Sequence, residues 1–174
     1  MSEAVRHLEQ EYDSEVRFRA VVVSSERITP EASSEEVREL VLDVERPDFP
    51  YRVGQSIGVL APGGAEFGKS HHYRLYSVAD LPERGESGRP LVKIAVRRCS
   101  YVDDYSGERY PGVASNYLCD RRPGDTITIT GPFGLAFEVP EEKDADLILI
   151  GSGTGIAPFR ALVKHLYRDV PDWK

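Results

Sequence analysis

Short runs of alternating and β-branched apolar residues, each closed by glycine or proline, fill the chain from residue 16 to about residue 140. Helical periodicity is almost absent from that stretch. Alternation gives a strand one buried and one solvated face, and Gly and Pro set the turns between strands. Residues 16–23 alternate and then become wholly apolar. Residues 37–44 come next, across a polar connection, 24–36, that contains Pro30. Pro47 and Pro50 mark a turn, Gly54 opens a strand over 56–60, and Pro62-Gly63-Gly64 starts a loop through Lys69. Residues 72–78, 91–97 and 125–130 complete the set. Many short strands between Gly/Pro turns predict a mainly β domain, an antiparallel barrel or sandwich. One helical segment, 115–120, interrupts it between Pro111-Gly112 and Pro123-Gly124. It is too short to be stable without packing or a ligand.

The character changes near residue 145. Asp146 leads into Leu147-Ile148-Leu149-Ile150, a continuous apolar run of the type buried on both faces in parallel sheets. Gly151-Ser152-Gly153-Thr154-Gly155 comes after it as a turn. Phe159, Leu162, Val163 and Leu166 then recur at helical spacing behind Pro158, which suits a first helical turn. Strand, glycine turn and helix form the first half of a βαβ unit. The expected organisation is an acidic tail over 1–15, a β domain over 16–140, and the beginning of an α/β domain over 141–174.

Composition removes several classes of function. The chain has 174 residues, 40% apolar and 29% charged, enough for one full domain and a fragment of a second. No apolar stretch approaches the roughly 18–20 residues of a membrane-spanning helix. Glu3, Glu9, Glu11, Asp13 and Glu15 stand where a secretory signal would need an apolar segment, so a cytoplasmic location is expected. A net charge of −7 argues against nucleic acid. The two cysteines, Cys99 and Cys119, form no C-x-x-C pair, so they do not by themselves ligate an iron–sulfur cluster or a cysteine-rich zinc ion. Adjacent His71 and His72 point to opposite faces of a strand, and no metal site is expected. Arg97-Arg98 and Arg121-Arg122 are the candidates for a local basic patch facing an acidic partner, or simply scattered surface arginines.

Three motifs carry chemistry. In Arg74-Leu75-Tyr76-Ser77, alternation puts Arg74 and Tyr76 on one strand face and Leu75 and Ser77 on the other. Arg can pair bidentately with phosphate, Tyr can stack on an aromatic cofactor, and Ser is a small donor. Taken alone, these residues also read as a solvent-exposed edge strand. In Gly112-Val113-Ala114-Ser115-Asn116, a glycine turn enters a short helix, where backbone N–H groups and a hydroxyl converge as in an anion site, or as in plain helix capping. Gly151-Ser152-Gly153-Thr154-Gly155-Ile156-Ala157 has the strand before and helix after of a dinucleotide turn, but its spacing is G-x-G-x-G. A glycine turn without ligand remains the alternative there.

These motifs, with Ile129-Thr130-Gly131-Pro132-Phe133-Gly134 and Gly153-Thr154-Gly155-Ile156-Ala157-Pro158-Phe159-Arg160, fall in the order and approximate spacing of the plant-type ferredoxin–NADP⁺ reductase family, which the chain resembles from about residue 16 to 174. Gly54-Gln55-Ser56-Ile57-Gly58-Val59 is similar to that family's early strand. One such motif is weak, whereas four in order are specific. The resemblance implies an antiparallel Greek-key β-barrel that holds FAD, followed by the start of a Rossmann-like NADP domain. It implies that Arg74 meets the FAD pyrophosphate, that Leu75 and Tyr76 belong to the cofactor strand with Tyr76 stacked on the flavin, and that Ser77, the catalytic candidate, lies beside the ring nitrogen that exchanges hydride. Gly112, Val113, Ala114 and Ser115 resemble the phosphate turn, and Ala114 stands where relatives often have Cys. Tyr101 resembles the tyrosine near adenine, Arg97 the basic residue facing NADP⁺ phosphate, and Gly153, Thr154 and Gly155 the nucleotide turn between flavin and nicotinamide.

The function so implied is electron transfer between NADP(H) and a one-electron carrier such as ferredoxin or flavodoxin, with the protein positioning and tuning the flavin. The family's later nucleotide-phosphate readers and its C-terminal aromatic have no counterpart here. FAD binding with little pyridine-nucleotide turnover is therefore expected of this chain. The same FAD residues would serve a reductase domain or subunit that feeds NAD(P)H electrons to an oxygenase. A non-catalytic ligand-binding barrel is the third reading, and it gives no reason to combine Arg74-Leu75-Tyr76-Ser77 with a nucleotide turn.

Overall fold

The computed structural model of the protein describes residues 15–63 and 71–173. The expected acidic tail, Glu15 apart, and the loop over 64–69 lie outside the described residues. Nine strands are described: β1 (Phe18–Arg27), β2 (Val37–Val44), β3 (Ser56–Pro62), β4 (His71–Ser77), β5 (Glu83–Arg84), β6 (Pro90–Arg97), β7 (Ser100–Val102), β8 (Arg109–Pro111) and β9 (Thr126–Phe133). Helix α1 (Val113–Cys119) precedes β9. A 3-10 turn (Gly153–Ile156) runs directly into α2 (Ala157–Asp169). None of the described helices is long and apolar enough to cross a membrane.

Seven strands form one antiparallel sheet in the order β4-β3-β9-β1-β2-β6-β5. Val78, the residue after β4, bridges to Ile94 of β6, and the Ala79 N–H donates to the Lys93 carbonyl at 2.8 Å. The end strand β4 therefore meets β6, next to the other end, and the sheet closes into the expected barrel. Alternate residues point inward: Leu40 and Leu42 in β2, Val92, Ile94 and Val96 in β6, and Ile127 and Ile129 in β9 are all essentially inaccessible. Burial of each such side chain contributes about 1.5–3 kcal/mol. The break in alternation near residue 23 has a structural cause. Val22 pairs with Leu42 and Ser24 with Val41, so Val23 is bulged out of the ladder and half exposed.

Gly58, in the middle of β3, has a packing reason rather than a conformational one. A Cβ there would lie 2.2 Å from the Tyr73 hydroxyl oxygen and 2.4 Å from Thr130 Oγ1. The missing side chain lets the Tyr73 ring lie across the sheet, with its hydroxyl 3.3 Å from the buried Thr130.

Beyond the Val78–Ile94 bridge β4 and β6 diverge, and α1 sits against β3, β4 and β6 in the opening. Leu118 and Cys119 of α1 enter the barrel core, which supplies the packing so short a helix needs. Burial pushes the Cys119 thiol up to about 11. The helix begins two residues before the expected segment, immediately after Gly112.

α2 packs outside the barrel. Ala161, Leu162 and Leu166 meet Val53 and Leu81 from the barrel rim, with Phe137, Val139, Val170 and Trp173 around them. Pro158 occupies the first turn, as its sequence position predicts. The run 147–150 departs from expectation. It is hydrogen-bonded into neither sheet, and Ile148 and Ile150 are 86% and 85% exposed. Such a run is buried only between neighbouring strands, and none pairs with it among the described residues, so the buried parallel strand expected there is not formed. The two-residue β5 and the β7–β8 hairpin have no sequence signal, because they are short and exposed.

Candidate functional site

Where β4 and β6 part, the barrel wall opens into a cavity of about 780 Å³, within the usual range for a small-molecule site. β4 supplies Arg74, Leu75, Tyr76 and Ser77 to its lining. Strict alternation would send only half of these to one face. All four reach the cavity because β4 lies at the end of the sheet order, and its open edge borders the space. Tyr76 packs partly against the barrel core, and burial pushes its phenol up to about 12, so it stays neutral at physiological pH. Arg74 is exposed, with Nη1 donating to the Tyr73 carbonyl at 2.9 Å. The Ser77 and Ser56 hydroxyl oxygens are 3.4 Å apart across the β3–β4 pair.

The opposite wall comes from β6 and the segment after it: Ala95, Arg97, Cys99 and Tyr101. Arg97 is half exposed, with Nη1 3.4 Å from Glu35 Oε2. Tyr101 is 50% exposed and stacks on Tyr110 across the β7–β8 hairpin, with ring centroids 5.7 Å apart. Gly112, Val113, Ala114 and Ser115 form the floor. The Asn116 N–H donates to the Gly112 carbonyl at 3.1 Å and opens the helical ladder, so the N–H groups of Val113, Ala114 and Ser115 precede it. No side chain caps them. The Ser115 hydroxyl instead accepts from the Cys99 N–H at 3.1 Å and lies 3.3 Å from the Gly112 carbonyl. A Cβ at Gly112 would be tight, 3.0 Å from Ser115 Oγ and 3.2 Å from the Cys99 carbonyl oxygen, so a larger residue there would press on both.

Thr154 and Gly155 close the cavity from the 3-10 turn. Gly153 does not line it; with φ of 55° it turns the backbone just before them. Of the residues assigned from the sequence to the flavin or the nicotinamide nucleotide, the cavity therefore gathers all but Gly153. His72, Ala95, Cys99 and Ala157 line it as well. They carry no individual signal in the sequence, because Ala95 and Ala157 are small spacers and the other two offer no ligand pattern. In each dibasic pair one arginine is taken up by neighbours, while the other, Arg97 or Arg122, is exposed. Arg98 is bound to Glu36 and Asp120, while Arg121 lies 4.6 Å over the Tyr117 ring and 3.7 Å from Asp125.

Glu36 anchors the far side of this wall. Hydrogen bonds from Arg98 and Arg38, at 2.7 Å each, hold its carboxyl down from the ordinary 4.5 to about 2. A depressed folded-state pKa contributes stability that is complete above the unfolded value and is lost as pH falls through about 2. Glu36→Gln is therefore expected to destabilise the fold more at pH 7 than at pH 2.5, as measured by urea unfolding. Equal losses at the two pH values would contradict this origin.

No family model matches the chain. Among curated proteins it is 39% identical over 147 residues to the cyanelle ferredoxin–NADP reductase of Cyanophora paradoxa, covering 84% of this chain and 40% of that one. It is 41% identical over 151 residues to leaf isozyme 1 of the chloroplastic ferredoxin–NADP reductase of Oryza sativa subsp. indica, covering 85% and 41%. Among solved structures, the ferredoxin–NADP⁺ reductase of Plasmodium falciparum with 2′P-AMP superposes with a TM-score of 0.69 at 20% identity, over 94% of this chain and 60% of that one. The last likeness supports the fold. The chain thus spans less than half the length of these two curated relatives.

Proposed function

We propose that this chain, a homologue of the ferredoxin–NADP reductases over most of its length, is the FAD-holding part of such an oxidoreductase. The observation that carries the reading is the convergence, on one cavity, of a strand Arg and Tyr, a segment of uncapped N–H groups and a second tyrosine, Tyr101, which is stacked on Tyr110. This donor set fits a dinucleotide flavin. Arg74 and the N–H groups of Val113, Ala114 and Ser115 are complementary to a diphosphate, Tyr76 offers a ring to the flavin, and Tyr101 offers one to adenine. When bound, FAD would supply the capacity to accept two electrons as hydride and release them singly. Ser77 sits on the cavity edge of β4, where its hydroxyl can donate to a developing charge, the role of a preorganised donor. Arg97, with Gly153, Thr154 and Gly155, is assigned to the nicotinamide nucleotide, NADP(H). The barrel domain is taken as 16–140 and the α/β segment as 141–174.

The activity proposed is electron transfer between NADP(H) and ferredoxin, with flavodoxin or a comparable carrier as the other acceptor, in a cytoplasmic setting that keeps Cys99 and Cys119 as the free thiols they are. Calorimetric titration with FAD and FMN tests the cofactor. Only FAD brings an adenine and a diphosphate, so it is expected to bind more tightly; equal affinities would refute the assignment of Tyr101 and of the 112–115 segment.

A further inference from the structure

Arg98 does not line the cavity, and the proposed function assigns it nothing. All three of its guanidinium nitrogens are nevertheless engaged. Nε donates to Glu36 Oε2 at 2.7 Å, Nη1 donates to Asn116 Oδ1 at 2.9 Å, and Nη2 lies 2.9 Å from Asp120 Oδ1. Its backbone N–H donates to the Glu36 carbonyl at 2.9 Å. Glu36 is fixed in turn by Arg38, whose Nη1 donates to the Ser25 carbonyl at 2.9 Å. A guanidinium held on three sides has a fixed plane and a fixed fork of donors.

Asn116 receives that order. With its oxygen on Arg98, its amide nitrogen faces two carbonyls, Gly112 at 2.7 Å and Cys99 at 2.8 Å. Both belong to residues that line the cavity, and they are already joined by the Gly112 N–H to Cys99 carbonyl bond at 2.9 Å. The amide thus ties the segment after β6 to the 112–115 segment. Its orientation is set by Arg98, because a flipped amide would set its NH₂ against the guanidinium and its oxygen against two carbonyls. Partly exposed ion pairs contribute little to stability. What this clasp supplies is geometry, since a binding constellation needs its supporting side chains locked within a fraction of an ångström.

We infer that Arg98 is a positioning residue for the cavity: acting through Asn116, it orients the 112–115 segment and so sets the affinity for the diphosphate of a dinucleotide flavin without touching it. This rests on the diphosphate reading of that segment.

The test titrates the wild-type chain, Arg98→Met, Arg98→Lys and Asn116→Ala with FAD and with riboflavin, which has no phosphate. In all three variants FAD affinity is expected to fall on the order of tenfold, the effect of one lost oriented hydrogen bond, while riboflavin affinity stays within about twofold. Arg98→Lys keeps the charge but not the fork, so it is expected to behave like Arg98→Met. The FAD-to-riboflavin affinity ratio is the informative quantity, because a general loss of stability lowers both affinities together. If Arg98→Met does not fold, Asn116→Ala removes the same link without removing a charge. A wild-type ratio retained in the variants overturns the role of Arg98 and leaves the diphosphate reading standing. A wild-type chain that binds FAD and riboflavin alike overturns the diphosphate reading, and the role of Arg98 with it.

Discussion

Arg74→Ala is expected to weaken FAD binding by about 2–3 kcal/mol, roughly 30- to 150-fold, with the barrel unchanged. The reason starts from position. Arg74 pairs with Val59 across the β3–β4 ladder, and its side chain leaves the barrel toward the cavity rather than entering the core. Its Nη1 donates to the carbonyl of its own neighbour, Tyr73, so losing that bond takes no partner from a distant element. The loss therefore falls on the ligand: a charge-assisted, bidentate contact to phosphate disappears, and the phosphate is left short of a donor. Arg74→Lys retains the charge but not the fork and is expected to recover part of the loss. The measurements are a flavin titration and a melting curve for each variant. A variant with wild-type FAD affinity would remove Arg74 from the site, and one that melts far below wild type would show that the arginine serves the fold.

The barrel is legible in the sequence wherever a strand has one wet and one dry face. β2 matches its expected bounds, and β1, β3, β4, β6 and β9 differ from theirs only at their ends. What alternation does not encode is where the sheet closes. The Val78–Ile94 bridge joins residues with nothing in their local sequence to mark them, yet the divergence beyond it creates the cavity. The motif residues are legible because each carries its own chemistry. Arg98 and Asn116 are visible in the sequence but their role is not: the first is half of a dibasic pair and the second the last letter of a motif. Their meaning depends on Glu36, 62 residues before Arg98 in the chain. The run 147–150 misleads for a related reason. Apolar sequence specifies that a segment should be covered, and only tertiary structure supplies the cover.

The second large effect is expected at Asp80, where the barrel holds α2. Its carboxylate is 5% exposed and receives Lys164 Nζ at 2.8 and 2.9 Å, with Lys93 Nζ at 3.4 Å and Arg160 Nη2 at 3.7 Å. The Leu81 N–H donates to it at 2.8 Å. Burial alone would raise its pKa, but the Lys164 hydrogen bond, the Leu81 N–H and the Lys93 charge outweigh it and hold the carboxyl below the ordinary value. Two of the three cations, Arg160 and Lys164, come from α2. Arg160 also donates from Nε to the Ala79 carbonyl at 2.8 Å and pairs with Glu39. Asp80→Ala takes away the carboxylate that Lys164 bonds and the acceptor of a buried N–H, while Arg160 keeps Glu39 and Lys93 keeps Glu83. Removing one partner of an ion pair costs about 3–5 kcal/mol only where the charge left behind stays buried; Lys164 and Arg160 are 49% and 39% exposed and regain water, which places this case at about 2 kcal/mol. For a chain of this size that corresponds to a melting temperature lower by about 4–8 °C. The loss is expected to be local first. Amide exchange in α2 should accelerate while the inward strands β2, β6 and β9 keep their protection, because those strands have their own core. The same change should loosen Thr154 and Gly155, which reach the cavity from the turn joined to α2, so the cavity and this ionic contact are coupled through one helix. Uniform acceleration across barrel and helix would show instead that α2 and the barrel unfold as one unit. An unchanged melting temperature would show that the apolar contacts of Ala161, Leu162 and Leu166 dock α2 without the help of charge.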